Sequence, residues 1–466
     1  MRTEIIPYKQ QFYKNGNESG LDLKAICIFS ALGFFLGRDT YYKNLEALQP
    51  ASDYNIDETG NIISAEEYWK WHYSPREMNL KQATEEFAHL FEKLIHENLK
   101  DKKVIMPLSG GIDSRSQAAA IGNKFDTKSY SYKFEKSFDE TKYGRLISEV
   151  LGIPYKEYVI PEGYLWDVID ELADINQCYA DFTHPRQMAV IKEVSKFGDV
   201  FFLGHWGDVL FDSMGVDEEL RFDELVNTVL TKIVKKGGIE LAEMLWEHWE
   251  LEGKFRNYLE DRISELLSEI KIDNANSRIR AFKSMYWAPR WTSANMNVFS
   301  NFHPIFLPYY ENEMCEFICN IPEDLLAGRK IQIEYIKMKN PELAKIPWQS
   351  YEPLNLYNYK NFQNIGNLPG RVVRKVNRII NEDVLKKKKT KSNYEIQFLG
   401  KNNDSQLKKR LFENDDLKNI IPEKIVKDIY GKFINEDSKK YSHPVSMLLT
   451  ISQFSNSLSF KQRESE

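Results

Sequence analysis

The stretch VIMPLSGGIDSRSQAAAI, residues 104–121, decides how the rest of the chain is read. An apolar run closes at Pro107-Leu108. Ser109, Gly110 and Gly111 follow, then Asp113, Ser114 and an alanine-rich segment with the look of a helix. A buried strand that leaves through two glycines and enters a helix gathers backbone N–H groups around one point. With the positive end of the helix dipole behind them, they form an anion cradle. Ser109 and Ser114 add hydroxyl donors. Asp113 would repel a phosphate unless a cation lay between them, and Mg²⁺ is the hard cation that takes carboxylate and phosphate oxygens together. The local chemistry therefore predicts a Mg-pyrophosphate pocket. The Gly-Lys-Ser/Thr of a P-loop is absent, and so is GxGxxG. A plain strand-to-helix turn with a serine cap accounts for the glycines but not for the whole string SGGxDS.

Working outward, strand and helix patterns alternate. Leu80, Ala83, Phe87, Leu90, Leu94 and Ile95 keep helical spacing before the 104–108 strand. After the 114–124 helix comes the alternating strand SYSYKF (129–134). A helix from about 140 to 151 stops at Gly152, and PYKEYVI (154–160) forms the next strand. A long helix then leads to the buried strand DVFFLG (199–204). This alternation predicts an α/β fold, a doubly wound parallel sheet. From about 220 the pattern is mostly helical to the end. Residues 1–75 mix short apolar runs with turn signals. DETGN (57–61) reads as a hairpin turn and EYWKWHYSPRE (67–77) as a linker.

Composition narrows the classes. The chain has 466 residues, 42% hydrophobic and 13% aromatic, enough for a large core. Its net charge of -6 gives no general drive toward nucleic acid or anionic membrane. The four cysteines, Cys27, Cys178, Cys315 and Cys319, are too scattered for a disulfide framework and suit a reducing cytoplasm. Cys315 and Cys319 read as buried thiols rather than a metal pair. The apolar run AICIFSALGFFLG (25–37) is too short to span a bilayer and reads as core, so no membrane span and a cytoplasmic location are expected. The basic stretch at 371–391 reads as a solvated face, with a polyanionic substrate as the alternative.

SGGIDS resembles the PP-loop of the ATP pyrophosphatase superfamily, whose members cleave ATP between its α and β phosphates. Within it the chain resembles the synthetase domain of asparagine synthetase and its relatives. Three further segments carry that resemblance: FDETKYGRLISEVLGIPYKEYVI (138–160), FLGHWGDVLFD (202–212) and NFHPIFLPYYENEMCEFICNIPEDL (301–325). It implies a PP-loop, adenine nucleotide α-hydrolase-like fold. It implies ATP bound by Ser109, Gly110, Gly111, Asp113 and Ser114, and Mg²⁺ on Asp113 and Asp208. His205 stands where the family has glutamate, and Val209 where its last acidic residue stands. A related lactam-forming enzyme has tyrosine at the first of these positions. His205 is thereby implied as a catalytic base or orienting group for the attacking nitrogen, titrating near neutrality. A lysine that steadies the adenylate is also implied. Lys330, Lys337 and Lys360 fit by rough position, and none is assigned.

Glutamine-using relatives begin Met-Cys, with that cysteine as the glutaminase nucleophile, but residue 2 here is arginine. The segment 32–63 resembles only the last part of a glutaminase domain. The expected organisation is a truncated glutaminase-like remnant and linker (1–77), the synthetase domain (78–345) and a helical C-terminal region (346–466). The implied function is an AMP-forming amide ligase that adenylates a small-molecule or glycan-linked carboxylate. Its nitrogen would come from ammonia, an amine or a separate glutaminase. The alternatives are a PP-loop tRNA-modifying enzyme and a catalytically inactive relative. The absence of CxxC pairs and the acidic balance weigh against nucleic acid as partner.

Overall fold

The computed structural model describes residues 11–363 and 390–465. Two small antiparallel pairs come first: β1 (Phe12–Lys14) with β2 (Leu45–Ala47), and the hairpin of β3 (Ser52–Ile56) with β4 (Ile62–Glu67). The hairpin turns at DETGN because the Asp57 carboxylate accepts the N–H groups of Thr59 and Asn61, both at 2.9 Å. Between the two strands of the first pair the chain forms α1 (Leu23–Leu32), capped by Asp22 and closed by Gly33 in the left-handed region at φ 81°. Its residues from Ala25 to Leu32 are buried, so the apolar run there is core, as expected.

The main sheet has five parallel strands: β5 (Val104–Pro107), β6 (Thr127–Phe134), β7 (Tyr155–Ile160), β8 (Val200–Phe202) and β9 (Ile305–Phe306). Their order is β7-β6-β5-β8-β9. Helix α2 (Leu80–Leu99) precedes β5 and starts in a capping box of Asn79 and Gln82. Helices α3 (Ile112–Ile121), α4 (Thr141–Leu151) and α5 (Tyr164–Asn176) follow β5, β6 and β7. The chain walks outward from β5 to β7, then returns to the other side of β5 as β8. The reversal lies between β5 and β8. In an open parallel sheet, ligands bind in the crevice at the carboxyl ends of two such strands.

Details of the sequence reading shift by a few residues. The helix expected at 114–124 runs from 112 to 121, because Gly111 serves as its N-cap and Gly122 ends it. Asp113 therefore sits in its first turn. β8 is shorter than the expected 199–204, although the Leu203 N–H still donates to the Phe306 carbonyl at 3.0 Å. In the helical second half, Lys283–Thr292 forms a π-helix around Pro289, which lacks a donor N–H for an α-helical ladder. The last helix, Ser438–Ser465, returns to the start of the chain. There Phe454 stacks on Tyr41 at 3.7 Å between centroids. One continuous core runs from Ala25 to Phe454. All four cysteines are buried free thiols. No helix among the described residues is long and apolar enough to cross a membrane. Most of the basic stretch, 371–389, lies outside the described residues.

Candidate nucleotide site

The loop after β5 is closed by its own hydroxyls. Ser109 Oγ and Ser114 Oγ lie 2.9 Å apart, and the backbone N–H groups of Ser109 and Gly111 donate to Ser114 Oγ and Ser109 Oγ at 3.2 and 3.3 Å. Ser114 is buried while Ser109 stays exposed at the mouth. Gly110 lies under Gln349 and the Tyr143 ring, and a Cβ there would strike both. The segment carrying Gln349 is tied to α3 by Arg115. This fully buried arginine donates to the carbonyls of Ile346 and Pro347, each at 2.9 Å.

Asp113 is the most heavily contacted group. Arg329 forms an ion pair with its Oδ1, Gln332 donates to the same oxygen at 2.9 Å, and Gln332 also reaches Tyr309 Oη at 3.1 Å. Tyr309 donates to the Asp113 carbonyl at 3.2 Å. Arg329 has a left-handed backbone at φ 60°, an unfavourable conformation for a side chain of its size. The neighbouring Gly328 N–H is anchored to Asp212 Oδ1 at 2.8 Å. Burial raises the Asp113 carboxyl above the ordinary range. Arg329 opposes that shift and the charge of Asp208 adds to it, so both aspartates stand in one electrostatic field. Gly207 lets the two loops meet, since a Cβ there would collide with the Asp113 carboxylate.

The loop after β8 is built differently. Trp206 is held in the left-handed region at φ 76°, fastened by its indole N–H to Ser284 Oγ at 3.1 Å. It caps the short helix Gly207–Leu210, which carries Asp208 exposed in its first turn. From below, the loop is held by Arg280, which donates to the carbonyls of Val209 (3.2 Å) and Asp212 (2.8 Å) and pairs with buried Glu323 at 2.8 Å. His205 Nδ1 is buried with no partner among the described residues. Burial pushes its imidazole down to about 4, with Asp208 opposing the shift and Arg186 adding to it. The expectation of titration near neutrality is therefore corrected: at pH 7 the ring is neutral.

Ser109, Gly110, Gly111, Asp113 and Ser114 thus share one crevice with Asp208 and His205. Two carboxylates meet there, and no group of three His, Cys, Asp or Glu that could hold a metal occurs among the described residues. A hard cation at this point would complete its shell with phosphate and water oxygens, and Asp113 Oδ2, without a partner among the described residues, and the exposed Asp208 suit that donor set. Among the described residues, none of Lys330, Lys337 and Lys360 makes a hydrogen bond or ion pair to the loop. Lys330 donates to the Asp324 carbonyl at 2.6 Å, Lys337 pairs with Glu334 at 2.8 Å, and Lys360 is exposed. Two other cations feel the charge of Asp208: Arg329, and Lys283 on the π-helix. Sequence reading missed both, along with Gln332 and Tyr309. The four-residue recurrence Lys283, Trp287, Trp291 was the available signal for Lys283.

A family model described as asparagine synthase matches residues 86–387, well over half of the chain. No curated protein matches it. The matched range holds the Ser109–Ser114 loop and the Asp208 turn, which the sheet reversal brings together, and the Arg329–Asp113 pair. The chain belongs to the asparagine synthase family.

Proposed function

We propose that this protein is an AMP-forming ligase that activates a carboxylate with ATP and passes the acyl group to ammonia or an amine. Family membership supports an ATP-dependent ligase. The observation that carries the finer reading is the convergence of Asp113 and Asp208 at the reversal point of the sheet, over a loop with buried hydroxyl and N–H donors.

The Ser109–Ser114 loop binds the pyrophosphate end of ATP through its N–H and hydroxyl groups. Asp113 and Asp208 would hold Mg²⁺, which supplies neutralisation of the leaving pyrophosphate when bound. The carboxylate oxygen attacks the α-phosphorus, giving an acyl-adenylate and pyrophosphate. The nitrogen nucleophile then displaces AMP. His205, neutral and with an unpartnered Nδ1 among the described residues, accepts a hydrogen bond from that nitrogen and orients it. A group that titrates at about 4 is a weak base at neutral pH, so orientation is the larger part of its role.

The nitrogen comes from free ammonia, an amine or a separate glutaminase, because Cys27 is unsuited to glutamine hydrolysis. It is fully buried in α1, and burial pushes its thiol well above the ordinary range. The reaction is placed in the cytoplasm. The test is product identity with a carboxylate and ammonium present. AMP and pyrophosphate are expected, whereas ADP and phosphate would overturn the reading. Release of glutamate from glutamine by the pure protein would overturn the nitrogen assignment.

A further inference from the structure

Beside the nucleotide site lies a wall of alternating aromatic rings and ammonium groups. Lys283 Nζ stands 5.9 Å from the Trp206 ring centroid and 4.8 Å from that of Trp287. Lys235 Nζ stands 5.4 Å from Trp287 and 5.5 Å from Trp291. His184 then meets Trp291 edge-on at 4.7 Å. Lys283, Trp287 and Trp291 recur every fourth residue along one π-helix, while Lys235 comes from the turn after the helix Phe222–Ile233.

Three observations favour a ligand along this wall. First, neither ammonium group has a carboxylate within ion-pair distance among the described residues. Asp208 near Lys283 and Asp181 near Lys235 are felt only at longer range. Second, surroundings poor in water lower the pKa of both lysines and of His184, yet His184 keeps 41% of its side chain accessible. Lys235 and Lys283 are themselves half-buried. Third, the indole N–H groups of Trp287 and Trp291 have no acceptor among the described residues. Cation–π contacts fix the two ammonium groups and keep them charged, but do not neutralise them. An anion completes such a site.

The geometry also bounds a length: Lys283 and Lys235 stand 4.8 and 5.4 Å from the same Trp287 ring, so they are neighbours across one indole. From Trp206 the rings step 6.4 Å to Trp287, 5.9 Å to Trp291 and 4.7 Å to His184. The near end is the Asp208 turn, where the carboxylate to be activated must lie. We propose that this wall binds a carboxylate substrate carrying a second acidic group, with the reacting carboxylate at Lys283 and the distal group at Lys235. This rests on the proposed carboxylate activation and names its substrate class. The distal group is a carboxylate or a phosphate, since both present the oxygens an ammonium recognises.

The test is calorimetric binding without ATP, which is independent of the chemistry. The probes are straight-chain α,ω-dicarboxylates from succinate to sebacate, the monocarboxylates of equal length, and matching ω-phosphonocarboxylates. The difference between diacid and monoacid of one length isolates the distal charge from apolar contact. We expect the diacids that reach both ammonium groups to bind about tenfold or more tighter than their monoacids. K235Q should abolish the gap and K235R should keep most of it, both variants melting as the unchanged protein does. The tighter of the carboxylate and phosphonate arms identifies the distal group. Equal binding of diacids and monoacids at every length, or a gap that survives K235Q, overturns the proposal. Pyrophosphate–ATP exchange with the best-binding diacid then tests the ligase reading separately, because binding can succeed where exchange fails.

Discussion

The two loops at the mouth of the sheet solve opposite problems. The loop after β5 is saturated: its serines bond to each other, and Asp113 is held by Arg329, Gln332 and, through its carbonyl, Tyr309. The loop after β8 is braced from beneath by Arg280 but open above, with Asp208 exposed, His205 Nδ1 unpartnered and Trp206 in a strained conformation. A saturated loop can receive only a ligand that exchanges hydrogen bonds for equivalent ones, as a pyrophosphate does. An open loop can accept varied chemistry. The contrast separates a nucleotide half from a substrate half, and each prediction below tries to break that division or sharpen it.

The largest effect should come from the brace. Glu323→Ala leaves Arg280 as a buried charge without its partner, which costs about 3–5 kcal/mol. Urea unfolding measures it. A loss within the range of a surface pair, about 1 kcal/mol or less, would mean that the β8 loop does not depend on this support.

Asp113→Asn and Asp208→Asn compare the two loops directly. Both should lower pyrophosphate–ATP exchange by about a hundred- to a thousandfold, the scale of losing one preorganised electrostatic contact. Thermal melting should barely move for exposed Asp208 and somewhat more for the Arg329 partner Asp113. An Asp208 variant that keeps full exchange would confine nucleotide chemistry to the β5 loop.

A third test uses two histidines pushed down to about 4, His205 in the open loop and His443 in the core. His443 Nε2 meets the Ser30 carbonyl at 2.9 Å where the last helix crosses α1. Its folded form favours the neutral ring, so the unfolded chain takes up the proton first as pH falls below about 6.5. The stabilisation is complete above that pH and declines toward 4. Full burial would make this about 3 kcal/mol, and the partial exposure of the ring reduces it to roughly 2 kcal/mol. Asp39, raised to about 6 mainly by burial, has the opposite slope in the same window. Urea unfolding at pH 7.5 and 5.0 should therefore be compared between His443→Gln and the unchanged protein. The variant should lose less stability on acidification.

Much of this division could be read from the chain. SGGIDS, the alternating elements and Gly152 are local signals, and the strand-to-helix register around Asp113 follows from them within two residues. The Arg329–Asp113 pair could not be read, because the partners are 216 residues apart and meet only when the helix Lys330–Lys339 packs on α3. The titration of His205 was misread for the same reason. An imidazole's ordinary pKa is a property of the side chain, but burial is a property of the fold. The wall of lysines and tryptophans falls between these cases. Its spacing was visible in the sequence, while its second lysine, Lys235, comes from another helix pair.

The smallest effect distinguishes two roles for His205. A general base is worth about a hundredfold or more, and its rate would rise with pH through the pKa of the ring. The ring here is already neutral well below pH 6, so the rate of amide formation should show no step from His205 between pH 5.5 and 8. His205→Ala should then leave carboxylate-dependent pyrophosphate–ATP exchange intact and slow amide formation by only about tenfold, the cost of losing one hydrogen bond. His205→Gln, which keeps an acceptor near the same place, should recover most of that loss; a base could not be replaced in this way. If alanine abolishes exchange and amide formation together, His205 belongs to the nucleotide half and the boundary between the two loops is drawn in the wrong place. If amide formation falls a hundredfold with a step near neutrality, substrate binding has rehydrated the ring and restored it as a base. The open loop would then be remade by its ligand, while the saturated loop beside it is not.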